Sequence, residues 1–188
     1  MTASPRAERM QAVYDQVPAM ADCKGACWIS CGPASMTPWE RRRLAAAGHP
    51  ITTEDIARKA PFDFWCDALG PDGRCTAYGI RPLVCRLWGA VEWLPCPHGC
   101  RPEGGWLPDE VAFRLILEAV RDGGSGEPVT QEMFDQLRDP VRLAAIRRKF
   151  AGKGASDTAR FRAYGDVLPV AVTRRPGLPR GKEAGDGS

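Results

Sequence analysis

The sequence predicts a mainly α-helical fold interrupted by irregular, cysteine-rich loops. Three observations carry that expectation. Apolar residues recur at helical spacing near both ends of the chain, behind recognisable caps. Residues 61–107 are crowded with Gly, Pro and Trp and offer few long periodic runs. All eight cysteines (Cys23, Cys27, Cys31, Cys66, Cys75, Cys85, Cys96, Cys100) fall between residues 23 and 100. A stretch so poor in long elements needs something other than a large apolar core to hold it, and metal–sulfur bonds would serve. The expectation is therefore a small metal-stapled domain packed on short helices.

Taken in order, Ser4 is placed to cap a first helix and Pro5 suits its first position. Met10, Val13, Tyr14 and Val17 then share one face, which should be buried against the cysteine region. Next, Cys23, Cys27 and Cys31 are evenly spaced. They fit one face of a helix, or a loop in which Gly25, Gly32 and Pro33 wrap an ion. Thr37-Pro38-Trp39-Glu40 reads as a capping box opening a helix through Leu44 and Ala47, which Gly48 ends. A short helix should follow Thr52 and stop before Pro61.

Phe62-Asp63-Phe64-Trp65-Cys66 has the composition of a short strand, and Pro71-Asp72-Gly73 that of a turn. One or two helical turns are expected from Pro82 to Trp88. From Pro108 a strongly apolar helix carries Val111, Phe113, Leu115, Ile116, Leu117, Ala119 and Val120 and ends at Gly123-Gly124. Thr130 should cap another helix, and Asp139-Pro140 should start one carrying Val141, Leu143, Ile146 and Phe150 on its apolar face. This divides the chain into an N-terminal helix (1–21), a cysteine-cluster domain (22–107), a helical scaffold (108–150) and an extended or disordered basic tail (151–188).

The net charge of +3 lies in that tail, which holds seven Lys/Arg against four Asp/Glu. A neutral body argues against a nucleic-acid partner. No run of about 18 apolar residues offers a membrane span. The first residues lack the apolar stretch of a secretory signal, and Glu8 and Asp15 do not suit a transit peptide. The cytoplasm is the expected compartment, and in a reducing cytosol clustered cysteines point to metal rather than disulfides. The apolar run 167–172 within the polar tail is a candidate contact for a protein partner.

The eight cysteines are the candidate metal ligands, for an iron–sulfur cluster or for Zn²⁺. Zinc knuckles usually employ Cys-x2-Cys pairs, and this chain has none. The wider spacings favour an iron–sulfur cluster, 4Fe-4S in particular, because its ligands surround a larger object. His98, between Cys96 and Cys100, is an alternative ligand, whereas His49 at a helix end reads as structural. Lys24, Arg74, Arg86 and Arg101 adjoin cysteines and would offset thiolate charge. Trp28, Trp65, Trp88, Trp93 and Trp106 are expected to shield the site. No Ser/His/Asp constellation or carboxylate pair suggests catalytic residues.

Residues 72–86, Asp72-Gly73-Arg74-Cys75-Thr76-Ala77-Tyr78-Gly79-Ile80-Arg81-Pro82-Leu83-Val84-Cys85-Arg86, resemble the signature of the YkgJ-like cysteine-cluster family. That family is described as a zinc- or iron-chelating domain of the CxxCxxCC type. Cys75, Tyr78, Arg81, Pro82, Cys85 and Arg86 all occupy the positions of its second motif. In the first motif the chain differs, because Cys23, Cys27 and Cys31 replace the usual Cys-x-x-Cys-x-x-Cys-Cys. The resemblance covers about residues 23–100. It implies a metal-binding protein whose cluster or zinc is structural or redox-active, with Arg81 and Arg86 offsetting thiolate charge and Tyr78 packing nearby. It also admits a cluster-dependent enzyme, since some relatives are flagellin lysine methylases, although the chain shows no glycine-rich cofactor loop. A third expectation is a structural component of a larger assembly, docked by its tail.

Overall fold

The computed structural model describes residues 4–21, 23, 31, 34–50, 66–70, 72, 74–96, 99–126 and 128–149. Helix α1 spans Pro5–Tyr14, with Ser4 as the N-cap accepting from the Ala7 amide at 3.3 Å and Pro5 in the first turn. Helix α2 spans Pro38–Ala46, a short α3 spans Leu83–Leu87, and α4 spans Asp109–Gly123. Helix α5 covers Gln131–Gln136, and α6 covers 140–149. No strand forms among the described residues. Extended pairing there is limited to the isolated bridges Met20–Pro102 and Leu69–Cys75. The mainly helical expectation holds.

The core forms where α1 lies against α4. Met10, Val13 and Tyr14 from α1 meet Ala112, Phe113, Leu115 and Ala119 from α4, and Leu83, Leu87, Val91, Trp93 and Leu94 complete the cluster. Met10 and Leu115 are fully enclosed. Each such side chain contributes about 1.5–3 kcal/mol relative to exposure. Trp93 stacks on Phe113 with ring centroids 5.2 Å apart. At the rim, Asp122 of α4 pairs with Arg9 of α1 at 3.0 Å and with Arg121 at 3.1 Å. Burial opposes ionisation of Asp122, but those two arginines outweigh it and hold the carboxyl below its usual range.

Helix α4 ends as expected, with Gly124 in the left-handed region at φ +74°. One residue earlier, Gly123 leaves room for the start of α2. A Cβ there would stand 2.4 Å from Thr37 Cβ, so only glycine lets the two chains approach this closely. Helix α6 is held at the other end of α4, where Arg147 pairs with Glu92 and, at 3.3 Å, with Asp109.

The capping box expected at Thr37 is present, but its glutamate does more than close a helix end. Glu40 is 3% exposed. Its Oε2 accepts from the Thr37 amide at 2.7 Å and the Thr37 hydroxyl at 3.0 Å. Its Oε1 accepts from the Tyr14 hydroxyl at 2.9 Å and the Leu83 amide at 2.7 Å. Helix α3 begins after Pro82, which supplies no side-chain cap, so the carboxylate of α2 satisfies an amide at its N-terminus. Burial and the neighbouring Glu40 charge push the Tyr14 phenol well above its ordinary value, so it remains a donor.

Two details depart from the sequence reading. Thr130 precedes α5 without a side-chain capping bond, and Val141 is 75% exposed rather than part of an apolar face. Asp139 caps α6 instead, accepting from the Val141 amide at 2.9 Å and the Arg142 amide at 3.3 Å. Those amides are the free donors of a helix start, and placing the aspartate over them turns Val141 outward. The helix expected after Thr52, most of the 62–66 strand, Phe150 and the tail 151–188 lie outside the described residues.

Glu40→Ala should lower unfolding stability by about 3 kcal/mol, because it orphans buried donors on three segments at once. A urea titration followed by circular dichroism measures it. A loss under 1 kcal/mol would mean that the carboxylate ties nothing together.

Candidate metal centre

Between α2 and α3 the chain folds back on itself so that cysteines distant in sequence become neighbours. The Cys66 amide donates to the Cys31 carbonyl at 3.0 Å, joining the first cysteine segment to the second. Residues 66–76 then form a tight loop. The Thr76 amide and hydroxyl both reach the Ala68 carbonyl at 2.8 Å, and the Gly70 amide reaches the Arg74 carbonyl at 2.8 Å. Asp72 accepts from the Arg74 amide at 3.0 Å, as a turn aspartate does. A Cβ on Gly70 would stand 2.9 Å from Asp72 Oδ1, so the loop closes this tightly only around glycine. Cys66 and Cys75 thereby pack against one small apolar cluster of Leu44, Ala68 and Ala77, with Met36 and Ile80 at its edge.

A 3-10 turn at Tyr78–Ile80 leads into α3, whose central residue is Cys85. Because Glu40 anchors Leu83, the start of α3 is held against α2, beside which the other thiols lie. The thiols influence one another accordingly. Cys31 is pushed far above its ordinary value, first by a hydrogen bond with Cys66, then by burial, then by the nearby Cys66, Cys75 and Cys85. Burial raises Cys75, with a further push from Cys66, against relief from the Ala77 backbone and Arg81. Burial pushes Cys85 up to about 12, reinforced by Cys66 and opposed by Arg81. Cys31, Cys66, Cys75 and Cys85 are therefore close enough to raise one another electrostatically.

There an isolated thiolate is disfavoured, and a cation among the sulfurs reverses the balance by replacing protons. Four soft donors beside a cation-bearing rim fit a thiophilic metal or cluster. The fit has a limit: among the described residues no group of three or more His, Cys, Asp or Glu is drawn tightly enough to hold a metal ion. The four thiols act on one another electrostatically without being drawn into such a group. No disulfide links the described cysteines.

The other expected ligands divide. Cys23 is exposed, Cys96 partly buried and Cys100 buried, away from the apolar cluster that holds Cys66 and Cys75. Neither Cys23 nor Cys31 is helical, and the residues between them lie outside the described residues. Cys27 and His98 lie outside the described residues. His49 donates its amide to the Leu44 carbonyl at 2.9 Å and ends α2, a structural position as expected.

The charged and aromatic neighbours agree with expectation in part. Arg81, which the family resemblance implied would offset thiolate charge, is the cation that opposes the rise of both Cys75 and Cys85. Its guanidinium lies 3.5 Å from the centre of the half-exposed Tyr78 ring, and its Nε donates to the Tyr78 carbonyl. Arg86 is engaged by backbone carbonyls and an aromatic ring. It donates to the Arg81 carbonyl at 2.9 Å and the Gly79 carbonyl at 2.7 Å, and lies over the Tyr14 ring at 4.4 Å. Arg101 packs on Trp106. Trp93 and Trp88 belong to the helical core, so Leu44, Ala68 and Ala77 take the shielding role expected of the tryptophans. Trp28, Trp65 and Lys24 lie outside the described residues. Glu40 was legible as a cap, but its reach to Leu83 had no sequence signal.

Arg81→Gln should weaken metal binding about 10- to 100-fold, the usual effect of removing a partner that supports ligands. Competition with a chromophoric chelator measures it, and unchanged affinity would remove Arg81 from the site. Because binding displaces protons from thiols held above their ordinary range, affinity should also fall as pH is lowered from 8 to 6.

No helix among the described residues is long and apolar enough to cross a membrane. No curated protein and no solved structure matches the chain. A family model does: residues 21–101, the stretch containing every cysteine, match the family described as "CxxCxxCC: Putative zinc- or iron-chelating domain".

Proposed function

We propose that this chain is a non-catalytic metal-binding protein in which Cys31, Cys66, Cys75 and Cys85 hold an iron–sulfur cluster of the 4Fe-4S type. The reading is supported by the mutual electrostatic influence of these four thiols, which come from three separate chain segments. Disulfide chemistry would pair them, and catalysis by a single thiol would favour one lowered rather than several raised. A shared cation accounts for the whole set.

The choice of cluster over zinc rests on size. Zn–S bonds of about 2.3 Å require the four sulfurs to crowd around one ion. Thiols not drawn into such a group suit a larger cluster, whose irons stand between the protein sulfurs. When bound, the group would supply a covalent tie among the three segments and a site for one-electron exchange. The chain's own residues do the rest: Glu40 orients α3, Leu44 and Ala77 keep water from Cys66 and Cys75, and Arg81 balances charge. Binding energies of about 10–16 kcal/mol are typical where a metal folds a small domain, which would make the cysteine region dependent on its metal. The reading places the protein in a reducing compartment such as the cytoplasm, where thiols persist.

Anaerobically purified protein should show a broad absorption band near about 400 nm and contain iron and acid-labile sulfide. The double variant C75S/C85S should lose that band while keeping most of its helical signal, since the α1–α4 core contains neither residue. A colourless wild-type protein carrying zinc and no sulfide would replace the cluster with zinc. Metal retained in full by C75S/C85S would overturn the quartet.

A further inference from the structure

Across the helical core, arginines meet carboxylates: Arg9 pairs with Asp122, Arg114 with Glu118, and Arg147 with Glu92 and Asp109. Arg43, Arg81 and Arg86 differ. None of the three forms an ion pair among the described residues, and ring faces and backbone carbonyls hold them instead. Arg86 donates through Nε to the Arg81 carbonyl and through Nη2 to the Gly79 carbonyl. Arg81 donates through Nε to the Tyr78 carbonyl at 3.1 Å and lies on the Tyr78 ring. Two guanidiniums are therefore fixed on the turn that carries Tyr78, whose side chain is half exposed.

Arg43 reaches the same neighbourhood from α2. Its guanidinium lies 5.7 Å from the centre of the Tyr14 ring, and that of Arg86 lies 4.4 Å from it. Two charges on one ring stand at most about 10 Å apart, within a Debye length at ordinary salt. Like charges this close repel. Burial and then repulsion from Arg81 lower the pKa of Arg86, with a smaller push from Arg43, while Tyr14 and Asp15 oppose. The nearby carboxylates are committed elsewhere. Asp15 accepts from Gln11, and the oxygens of Glu40 are taken by Thr37, Tyr14 and Leu83. Of the three arginines, Arg81 alone is among the leading influences on Cys75 and Cys85, so thiol chemistry does not account for the other two. Arg43 also keeps a buried Nη1 without a hydrogen-bond partner, a donor that costs free energy until an acceptor meets it.

We propose that Arg43, Arg81, Arg86 and Tyr78 form a docking surface for an acidic segment of a protein partner. Carboxylates of that segment supply the charge that the fold withholds, and guanidiniums bind them in a forked geometry. Tyr78 gives the surface an anchor, and tyrosine and arginine are the types enriched where protein interfaces bind most strongly. A nucleic acid calls for a broad basic face, whereas residues 1–150 of this chain are neutral. Rings and carbonyls hold Arg81 and Arg86 before the partner arrives, so less side-chain freedom is lost on docking. The surface stands whether the thiols hold a cluster or zinc.

The test is fluorescence anisotropy of a labelled peptide of glutamate and leucine, titrated with the full-length chain at low salt. Wild type, R43Q/R86Q and R174Q/R175Q are compared, the last removing the same charge from the tail. Wild type should bind saturably, with affinity falling as salt rises to about 0.15 M. R43Q/R86Q should weaken binding at least about tenfold, and R174Q/R175Q less than about twofold. Absence of saturable binding by wild type overturns the surface. So does a loss in R174Q/R175Q that equals or exceeds the loss in R43Q/R86Q. A single-stranded oligonucleotide is titrated alongside. If it binds more tightly than the peptide and is lost in R43Q/R86Q, the partner is nucleic acid and the proposal falls. Circular dichroism checks that each variant folds. Where R43Q/R86Q unfolds, Y78S decides, because that side chain is half exposed. Binding weakened at least about threefold by Y78S upholds the surface, and unchanged affinity overturns it.

Discussion

The arrangement depends on one buried carboxylate. Glu40 accepts four hydrogen bonds, from Thr37 twice, Tyr14 and Leu83, and so fastens the start of α2 to α1 and to α3. Burying such a group is costly unless every oxygen is satisfied, and here the donors come from three segments distant in sequence. The same satisfaction sets the position of α3, and α3 carries Cys85. A residue that closes a helix end thus also places a candidate ligand.

Two apolar clusters divide the labour. The larger, between α1 and α4, is an ordinary helix-packing core of Met, Leu, Phe and Trp side chains. The smaller consists of Leu44, Ala68 and Ala77, with Cys66 and Cys75 against it. Three small or medium side chains bury too little surface to order a loop-rich stretch alone. Bonds among sulfur and metal are the chemistry available to supplement it. That division explains why the helices follow from ordinary periodicity, while the cysteine loops depend on hydrogen bonds made one at a time.

Charge around the thiols follows the fold rather than the chain. Arg86 is the immediate neighbour of Cys85, yet its guanidinium is spent on backbone carbonyls and the Tyr14 ring. Arg81, four residues before Cys85 and just outside α3, supplies the positive field that opposes the rise of both Cys75 and Cys85. Within a few residues of a ligand, the direction of a side chain outweighs its sequence distance.

The helices were legible because their signals are local. Ser4 and Thr37 cap, Pro5 and Pro38 start, and Gly124 stops, each through contacts within a few residues. Asp139 starts its helix as its sequence suggests, whereas Thr130 makes no side-chain capping bond at the helix before it. Thiolate chemistry was legible from cysteine number and compartment, and the match over residues 21–101 agrees with it. Which cysteines become neighbours was not legible. That grouping rests on contacts such as Cys66 to Cys31 and Glu40 to Leu83, whose partners are far apart along the chain. A linear pattern records which residues exist and what they prefer locally. Proximity between distant residues is created only when helices pack and buried polar groups find their partners.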